Sequence, residues 1–403
     1  MSNTERLSSK IKQRDFKLNA LLELTEAINA NSSEEDLILQ FQNIVQTHLG
    51  IEKLALFVKR EDWQCLLQYG DLNISQFVIP ADDFFHTNKG VALSEDASHE
   101  SYDVVVPVLH NNQPLAIALA GDNAEDARGM SPAVKHMRFL QTLTSVLSVA
   151  LENKRLLTNL VQQERLKKEL ELAAEMQHLL LPSKFPDTKE WNVQGIYRAH
   201  QQVGGDYYDV FQISTDEWVF CLGDVSGKGM PAAFLMSNFQ AYVRNAFEEK
   251  RPDLTVLANK LNKRVWDAVQ GEKFITFFLG VYNASNQSLE YVNCGHNAPV
   301  FKSNAEFQHL SATSIGLGML PDLPKVTSVN IEIHSADMLL GYTDGLVEVN
   351  NAAGDYFEME GIEKSMRGEH AKDVCLSVEN AANEFRGECL FNDDVAILAI
   401  CWK

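Results

Sequence analysis

Gly204-Gly205-Asp206-Tyr207-Tyr208-Asp209 and Gly223-Asp224-Val225-Ser226-Gly227-Lys228-Gly229 decide how this chain is read. Asp206 and Asp224 each stand at the end of a hydrophobic run with strand character. Two further stretches repeat the arrangement, Tyr342-Thr343-Asp344-Gly345 and Asn392-Asp393-Asp394. A carboxylate at the end of a strand is held on a rigid element and can project from a sheet edge. Several hard oxygen donors gathered in this way suit Mg²⁺ or Mn²⁺ rather than Zn²⁺. The pattern reads as a two-metal hydrolase centre, for which phosphate esters are the usual substrate.

Around these stretches the spacing predicts strands over 191–198, 207–213, 218–223, 274–282, 289–293, 326–333, 338–342 and 395–401. Residues 300–302 are expected to extend the 274–293 hairpin. Amphipathic helices are expected over 231–248 and 254–269. One helix pair among many antiparallel strands implies an α+β sandwich of two packed sheets flanked by helices.

Upstream, residues 10–30 carry Phe16, Leu21, Leu24 and Ile28 at helical spacing. Ser32 and Glu35 form a capping box for a second helix bearing Leu37, Phe41, Ile44 and Val45. Strands are expected over 51–58 and 63–69. The runs 103–109 and 114–120 flank His110-Asn111-Asn112-Gln113 as a hairpin. From 132 to 181 the chain reads as helix. Leu143, Val146, Ala150, Asn153, Leu157 and Leu160 form a heptad seam, and Leu166, Leu170, Ala173, Gln177 and Leu180 resume it in another phase. The expected division is 1–140 as an α/β regulatory domain, 141–185 as a helical coiled-coil linker and 186–403 as the catalytic domain. The two seams imply a homodimer. The linker reads equally as a dimer stalk or as a two-register signalling element.

Composition bounds the partners. A chain of 403 residues exceeds one ordinary core. A net charge of −20 argues against nucleic acid or an anionic membrane as the main partner, and a phosphorylated substrate would need metal ions to draw it in. Six scattered cysteines without a Cys-x-x-Cys pair, a start without a signal-peptide core and no long apolar run lead to a cytoplasmic expectation.

Residues 15–155 resemble a GAF domain, a ligand-sensing or dimerising module of signalling proteins. The likeness rests on pattern: a helix, Leu49-Gly50-Ile51-Glu52-Lys53-Leu54-Ala55-Leu56-Phe57, the Val-Pro-Val hairpin, then a closing helix. A scaffold without a ligand and a sensor are both open readings.

The second half is more specific. The motifs Leu172-Ala-Ala-Glu-Met-Gln177-His-Leu-Leu-Leu-Pro182, Val203-Gly-Gly-Asp-Tyr-Tyr-Asp-Val-Phe211, Gly223-Asp-Val-Ser-Gly-Lys-Gly-Met-Pro-Ala-Ala233, Asn293-Cys-Gly-His-Asn-Ala-Pro299, Tyr342-Thr-Asp-Gly-Leu-Val-Glu348 and Asn392-Asp-Asp-Val-Ala396 stand in the order of one family. Residues 170–403 resemble the PP2C superfamily of metal-dependent serine/threonine phosphatases, in its RsbU/SpoIIE branch. The resemblance implies two Mn²⁺ or Mg²⁺ ions. It implies Asp206 as bridging ligand, Asp224 and the Val225 carbonyl as further ligands, and Asp344 and Asp393 completing the set. Asp206 and Asp224 are its catalytic centre. A water shared by the ions would lose a proton readily and attack phosphorus in line. Asp209, Asp394 and His296 are candidates for supporting roles: Asp209 orienting a metal water or capping a turn, His296 a general acid or a structural turn residue. The implied substrate is phosphoserine or phosphothreonine on a regulatory protein, in relatives a STAS-type anti-sigma-factor antagonist.

Two rival readings are weaker. Gly204-Gly205-Asp206 is similar to the Gly-Gly-Asp-Glu-Phe signature of diguanylate cyclases, yet Tyr207 stands where those need an acid. A phosphatase fold reduced to a catalytically inactive binding module would not need the four aspartates. Gly227-Lys228-Gly229 reads as a tight turn opening the helix at Met230, since the P-loop pattern is absent.

Overall fold

The computed structural model describes residues 3–70, 91–92, 102–111, 113–122, 131–304 and 306–403. Its residues divide into two compact units, Met1–Glu164 and Arg165–Lys403. Among the described residues no helix is long and apolar enough to cross a membrane.

The first unit opens with α1 (Asn3–Asn29) and α2 (Glu34–Asn43), which runs into a π turn at Ile44–His48. The strands are β1 (Lys53–Lys59), β2 (Trp63–Tyr69), β3 (Val91–Ala92), β4 (Val104–His110) and β5 (Gln113–Gly121). They pair antiparallel in the order β2-β1-β5-β4-β3. The β4–β5 hairpin closes with His110 opposite Gln113, while Asn112 lies outside the described residues. Strand alternation sorts the side chains. Leu54, Leu56, Val106, Val108, Ala116 and Ala118 face the helices, whereas Ala55, Val105, Ile117 and Leu119 form a smaller cluster with Tyr102. The cap of α2 is Ser33, whose hydroxyl accepts from the Asp36 amide, rather than Ser32. Two adjacent serines each have an acidic residue three positions on, and only backbone geometry separates them.

Helix α3 spans Pro132–His178 without a break. Leu140, Leu143, Leu147 and Leu151 are buried against the sheet of their own chain. This corrects the expected pairing: Leu143 fills an intrachain core and is not available to a partner helix. Leu157, Leu160 and Leu166 are exposed.

The second unit contains two five-stranded antiparallel sheets. Its strands are β6 (Trp191–Arg198), β7 (Tyr207–Gln212), β8 (Glu217–Val225), β9 (Ile275–Asn283), β10 (Ser288–Cys294), β11 (Val300–Ser303), β12 (Glu306–His309), β13 (Val329–Glu332), β14 (Met338–Tyr342) and β15 (Val395–Trp402). One sheet has the order β13-β10-β9-β8-β7 and the other β12-β11-β14-β15-β6. The helices are α4 (Met230–Asn245), α5 (Leu254–Val269), α6 (Asp344–Val347), α7 (Glu358–Ser365) and α8 (Ala371–Arg386). Strand β11 corrects an expectation: it joins β14 in the second sheet instead of extending the β9–β10 hairpin.

β15 shows why a sandwich forms. All eight of its residues are buried. Ala396, Leu398, Ile400 and Trp402 enter the core between the sheets, while Val395, Ile397, Ala399 and Cys401 enter a second core with α7 and α8. Period-two alternation with apolar residues on both faces requires a cover on both faces. Between the sheets Trp191 meets Trp218, Phe220 and Tyr282 edge-on at 5.1, 5.7 and 5.8 Å. Each such pair adds about 0.5–1.5 kcal/mol beyond its buried area. On the outer face of the first sheet, Phe239 of α4 packs edge-on against Phe277 at 4.8 Å.

Candidate metal centre

Antiparallel pairing gathers the aspartates. β7 begins at Tyr207 opposite Gly223 near the end of β8, so Asp206 and Asp224 share one end of the first sheet. β14 ends at Tyr342 opposite Ile397 near the start of β15, so Asp344 and the Asp393-Asp394 pair share one end of the second. Thr343 joins the two ends. Its hydroxyl donates to Asp206 Oδ2 at 2.6 Å and accepts from the Ala396 amide at 2.8 Å.

Close approach of backbone explains the glycines before Asp206. A Cβ on Gly205 would stand 2.8 Å from the Val225 carbonyl oxygen, and one on Gly204 would collide with the Asp394 carboxylate. Only glycine admits this packing. Asp394 accepts from the amides of His200 (2.7 Å) and Gly205 (2.8 Å). Both its oxygens are thus committed to main chain, and it shapes the loop before Asp206. Gly227 and Gly229 adopt φ of +87° and +72°, which is the tight turn that opens α4.

The electrostatics are those of crowded like charges. Asp206 is 1% exposed. Burial, then the neighbouring Asp224, holds its carboxyl well above the usual range. Asp224 is pushed up to about 7 by burial, then by Asp344, Asp393 and Asp394. Asp344 is raised by burial and by Glu348 and Asp393. Lys228 pairs with Asp393 at 2.8 Å and donates to the Asn392 carbonyl at 2.5 Å. Its ammonium is a cation within the cluster, and its position in a glycine turn beside Asp224 was the one sequence signal for it.

Among the described residues, no three acidic, imidazole or thiol groups converge at ligand spacing. The carboxylates repel one another, and Lys228 holds Asp393. The donor set nevertheless fits a hard dication. It is all oxygen, it is rich in carboxyl groups, and Asp206 and Asp224 lie within hydrogen-bond reach of each other. The Val225 side chain is buried, and its carbonyl oxygen faces Gly205.

This geometry meets an independent likeness. Residues 214–403 match the family model described as Stage II sporulation protein E (SpoIIE). The match lies wholly within the C-terminal unit. The chain is similar to Protein IcfG of Synechocystis sp. (28% identical over 263 residues, 58% of this chain and 41% of that protein). It is also similar to Phosphoserine phosphatase RsbU of Bacillus subtilis (28% over 219 residues, 54% of this chain and 63% of that protein). It thus spans less than two thirds of either relative. Among solved structures, the SiaA-PP2C domain of Pseudomonas aeruginosa aligns with 60% of this chain and 99% of its own length. The TM-score there is 0.52 at 16% identity, which shows a shared PP2C fold.

Two residues expected in supporting roles are both engaged by protein groups of the C-terminal unit. Asp209, expected to orient a metal water or cap a turn, is bonded by protein groups. It is fully buried and receives Arg244 Nε and Nη2 in a bidentate pair at 2.7 Å each. The Tyr207 hydroxyl and the Val210 amide, both at 2.9 Å, use its remaining acceptor sites. Strand β7 is thereby tied to the last turn of α4. His296 is 4% exposed, and burial drives its imidazole down to about 4. Nδ1 lies 2.9 Å from Thr276 Oγ1, and the backbone amide donates to Asn293 Oδ1 at 2.8 Å. A ring kept neutral by burial is a poor proton donor near pH 7, and the contacts of His296 belong to the turn.

Gln177 is the residue whose weight the sequence understated. It is 6% exposed in the last turn of α3. Its amide donates to the Gly204 carbonyl at 2.6 Å, and its side-chain oxygen accepts from the Gly204 amide at 3.1 Å. The loop carrying Asp206 is therefore gripped by Gln177 on one side and Asp394 on the other.

Proposed function

We propose that this chain is a metal-dependent protein phosphatase that hydrolyses phosphoserine or phosphothreonine on a regulatory protein. The observation that carries this reading is the set of acidic side chains drawn from four separate chain segments to one end of the sandwich, with Asp224 pushed up to about 7 by burial and by like charges. Asp206, Asp224, Asp344, Asp393 and the Val225 carbonyl would hold two divalent ions, Mn²⁺ or Mg²⁺. Bound there, such ions supply charge neutralisation for the phosphoryl oxygens and an acidified water.

The chain's own groups have distinct tasks. Asp206 is fixed by Thr343, so its carboxylate keeps one orientation. Asp394 and Gln177 hold the Gly204-Gly205 backbone so that Asp206 and Val225 approach each other. Lys228 can trade Asp393 for a phosphoryl oxygen, since its amine is partly exposed. A catalytically inactive binding module would gain nothing from crowding acidic groups at a cost in stability.

The substrate reading, a phosphorylated STAS-type regulatory protein, rests on the likeness to RsbU, named a phosphoserine phosphatase. The regulatory reading assigns residues 1–140 to a GAF-like sensor or dimerisation domain and 141–185 to a helical linker, with residues 186–403 as the phosphatase. Displacement of α4 from Met230 would move the Asp224–Val225 ligands and weaken one metal site. The deciding experiment titrates Mn²⁺ and Mg²⁺ against turnover of p-nitrophenyl phosphate and of phosphoserine peptides. Metal-dependent release of phosphate is expected, and its absence at saturating Mn²⁺ overturns the reading.

A further inference from the structure

Beside the carboxylate edge lies an open cavity of about 930 Å³. Its apolar wall includes Tyr342, Tyr356 and Met359. Its acidic wall is formed by Glu348, Glu358, Glu360 and Glu363. Glu360 is paired with Lys364, and Glu363 with His309 at 2.7 Å. Glu348 and Glu358 have no such cation among the described residues, and both are exposed. No lysine or arginine lines the cavity.

Two residues that line the cavity, Tyr342 and Glu348, adjoin the catalytic edge along the chain. Tyr342 precedes Thr343, which holds Asp206. Glu348 follows the four-residue helix α6 that begins at Asp344, and its amide donates to the Asp344 carbonyl at 2.9 Å. Four helical residues rise about 6 Å. An extended peptide advances about 3.3 Å per residue, so a side chain two to four residues from a phosphoserine at the aspartates reaches this space.

We propose that the cavity is a specificity subsite that receives an arginine or lysine side chain of the phosphoprotein substrate. This rests on the phosphatase reading above. Two unpaired carboxylates at the rim repel an anionic residue and attract a cation. The exposed Tyr356 ring offers a face for a guanidinium or ammonium group, and Met359 and Val347 accept the aliphatic stem. The volume far exceeds that of a free ammonium ion, so a long side chain fills it better than a small amine. The subsite also answers the problem set by the net charge of −20. A phosphoprotein carrying a basic residue near its phosphoserine presents opposite charges to two neighbouring places, ions at the aspartates and glutamates in the cavity.

The test uses phosphoserine heptapeptides that differ only in carrying arginine, alanine or glutamate two or three positions from the phosphoserine. Wild-type full-length protein should show a kcat/KM for the arginine peptide about tenfold above the alanine peptide, with the glutamate peptide lowest. In the Glu348→Gln/Glu358→Gln variant the arginine-to-alanine ratio should fall to about one. A wild-type ratio near one, or a ratio unchanged in the variant, overturns the subsite. p-Nitrophenyl phosphate turnover by the wild type separates the two claims, because a failure there removes the phosphatase reading and not the cavity. Fluorescence-anisotropy binding of the same peptides then decides the subsite alone. Tighter binding of the arginine peptide, lost in the variant, supports it, and equal binding of all three overturns it.

Discussion

Asp206 and Asp209 stand three residues apart beside and within one strand, both fully buried, with opposite surroundings. Asp209 meets a guanidinium in two hydrogen bonds, a phenol and an amide. Asp206 meets a threonine hydroxyl and then other carboxylates. The first arrangement satisfies a buried charge and ties β7 to α4. The second leaves like charges facing one another, which no protein keeps for stability. Buried charge with a protein partner marks architecture, and a crowd of buried carboxyls without one supports the proposed cation site.

Replacing a crowded carboxylate should have the largest effect. Asp206→Ala or Asp224→Ala is expected to lower metal-dependent turnover by about 10³-fold or more, since each removes several kcal/mol of charge stabilisation. Circular dichroism should stay that of the folded chain. Without metal the same variants should melt higher, by roughly 2–6 °C, because a repulsion is removed. The sign with pH follows from Asp224. Its folded value, about 7, lies above its unfolded one. Its contribution to stability is therefore complete below about pH 4 and is lost as pH rises through about 7. Metal-free wild type should gain stability between pH 8 and pH 5, and Asp224→Ala should gain less. Full turnover of either variant at saturating Mn²⁺ would sink the metal assignment.

The opposite outcome is expected at the other pair. Arg244→Ala leaves Asp209 buried without its cation. Since the guanidinium is 45% exposed, the cost should be about 2–3 kcal/mol, below that of a fully buried pair. Urea denaturation with and without metal measures it. An Arg244→Ala variant as stable as wild type would show that Asp209 does not depend on its cation, and the contrast between the two aspartates would collapse.

Legibility in the sequence followed the same divide. β15 could be read directly, because eight apolar residues in a row leave few alternatives, and β6 and α5 matched their expected limits. The four motif aspartates were legible because glycines and strand ends flank them. Partners distant in sequence were not. Periodicity shows that residues 300–303 form a strand but says nothing of which neighbour it joins, and β11 pairs with β14. Arg244 lies 35 positions from Asp209, within a helix whose pattern reads as amphipathic regardless. Helices α7 and α8 escaped notice, although α8 buries Val374, Cys375, Val378 and Ala382 along one face.

Gln177 should give the smallest effect and sharpens the comparison most. It contributes no charge, so its removal tests geometry alone. Gln177→Leu keeps side-chain bulk but deletes both hydrogen bonds to Gly204. The freed amide and carbonyl of Gly204 sit in a buried loop, and losing their partners costs about 1–3 kcal/mol. That strain falls on the segment that positions Asp206 against Val225. We expect the Mn²⁺ concentration for half-maximal turnover to rise by about fivefold to tenfold, with the maximal rate changed less. Calorimetric Mn²⁺ binding should shift by the same factor, which a role in substrate docking would not produce. Gln177→Glu restores the acceptor for the Gly204 amide but not the donor to its carbonyl, so its shift should lie between wild type and Gln177→Leu. If Gln177→Leu lowers the melting temperature while leaving Mn²⁺ affinity at the wild-type value, Gln177 is a packing residue. The end of α3 would then have no hold on the metal ligands.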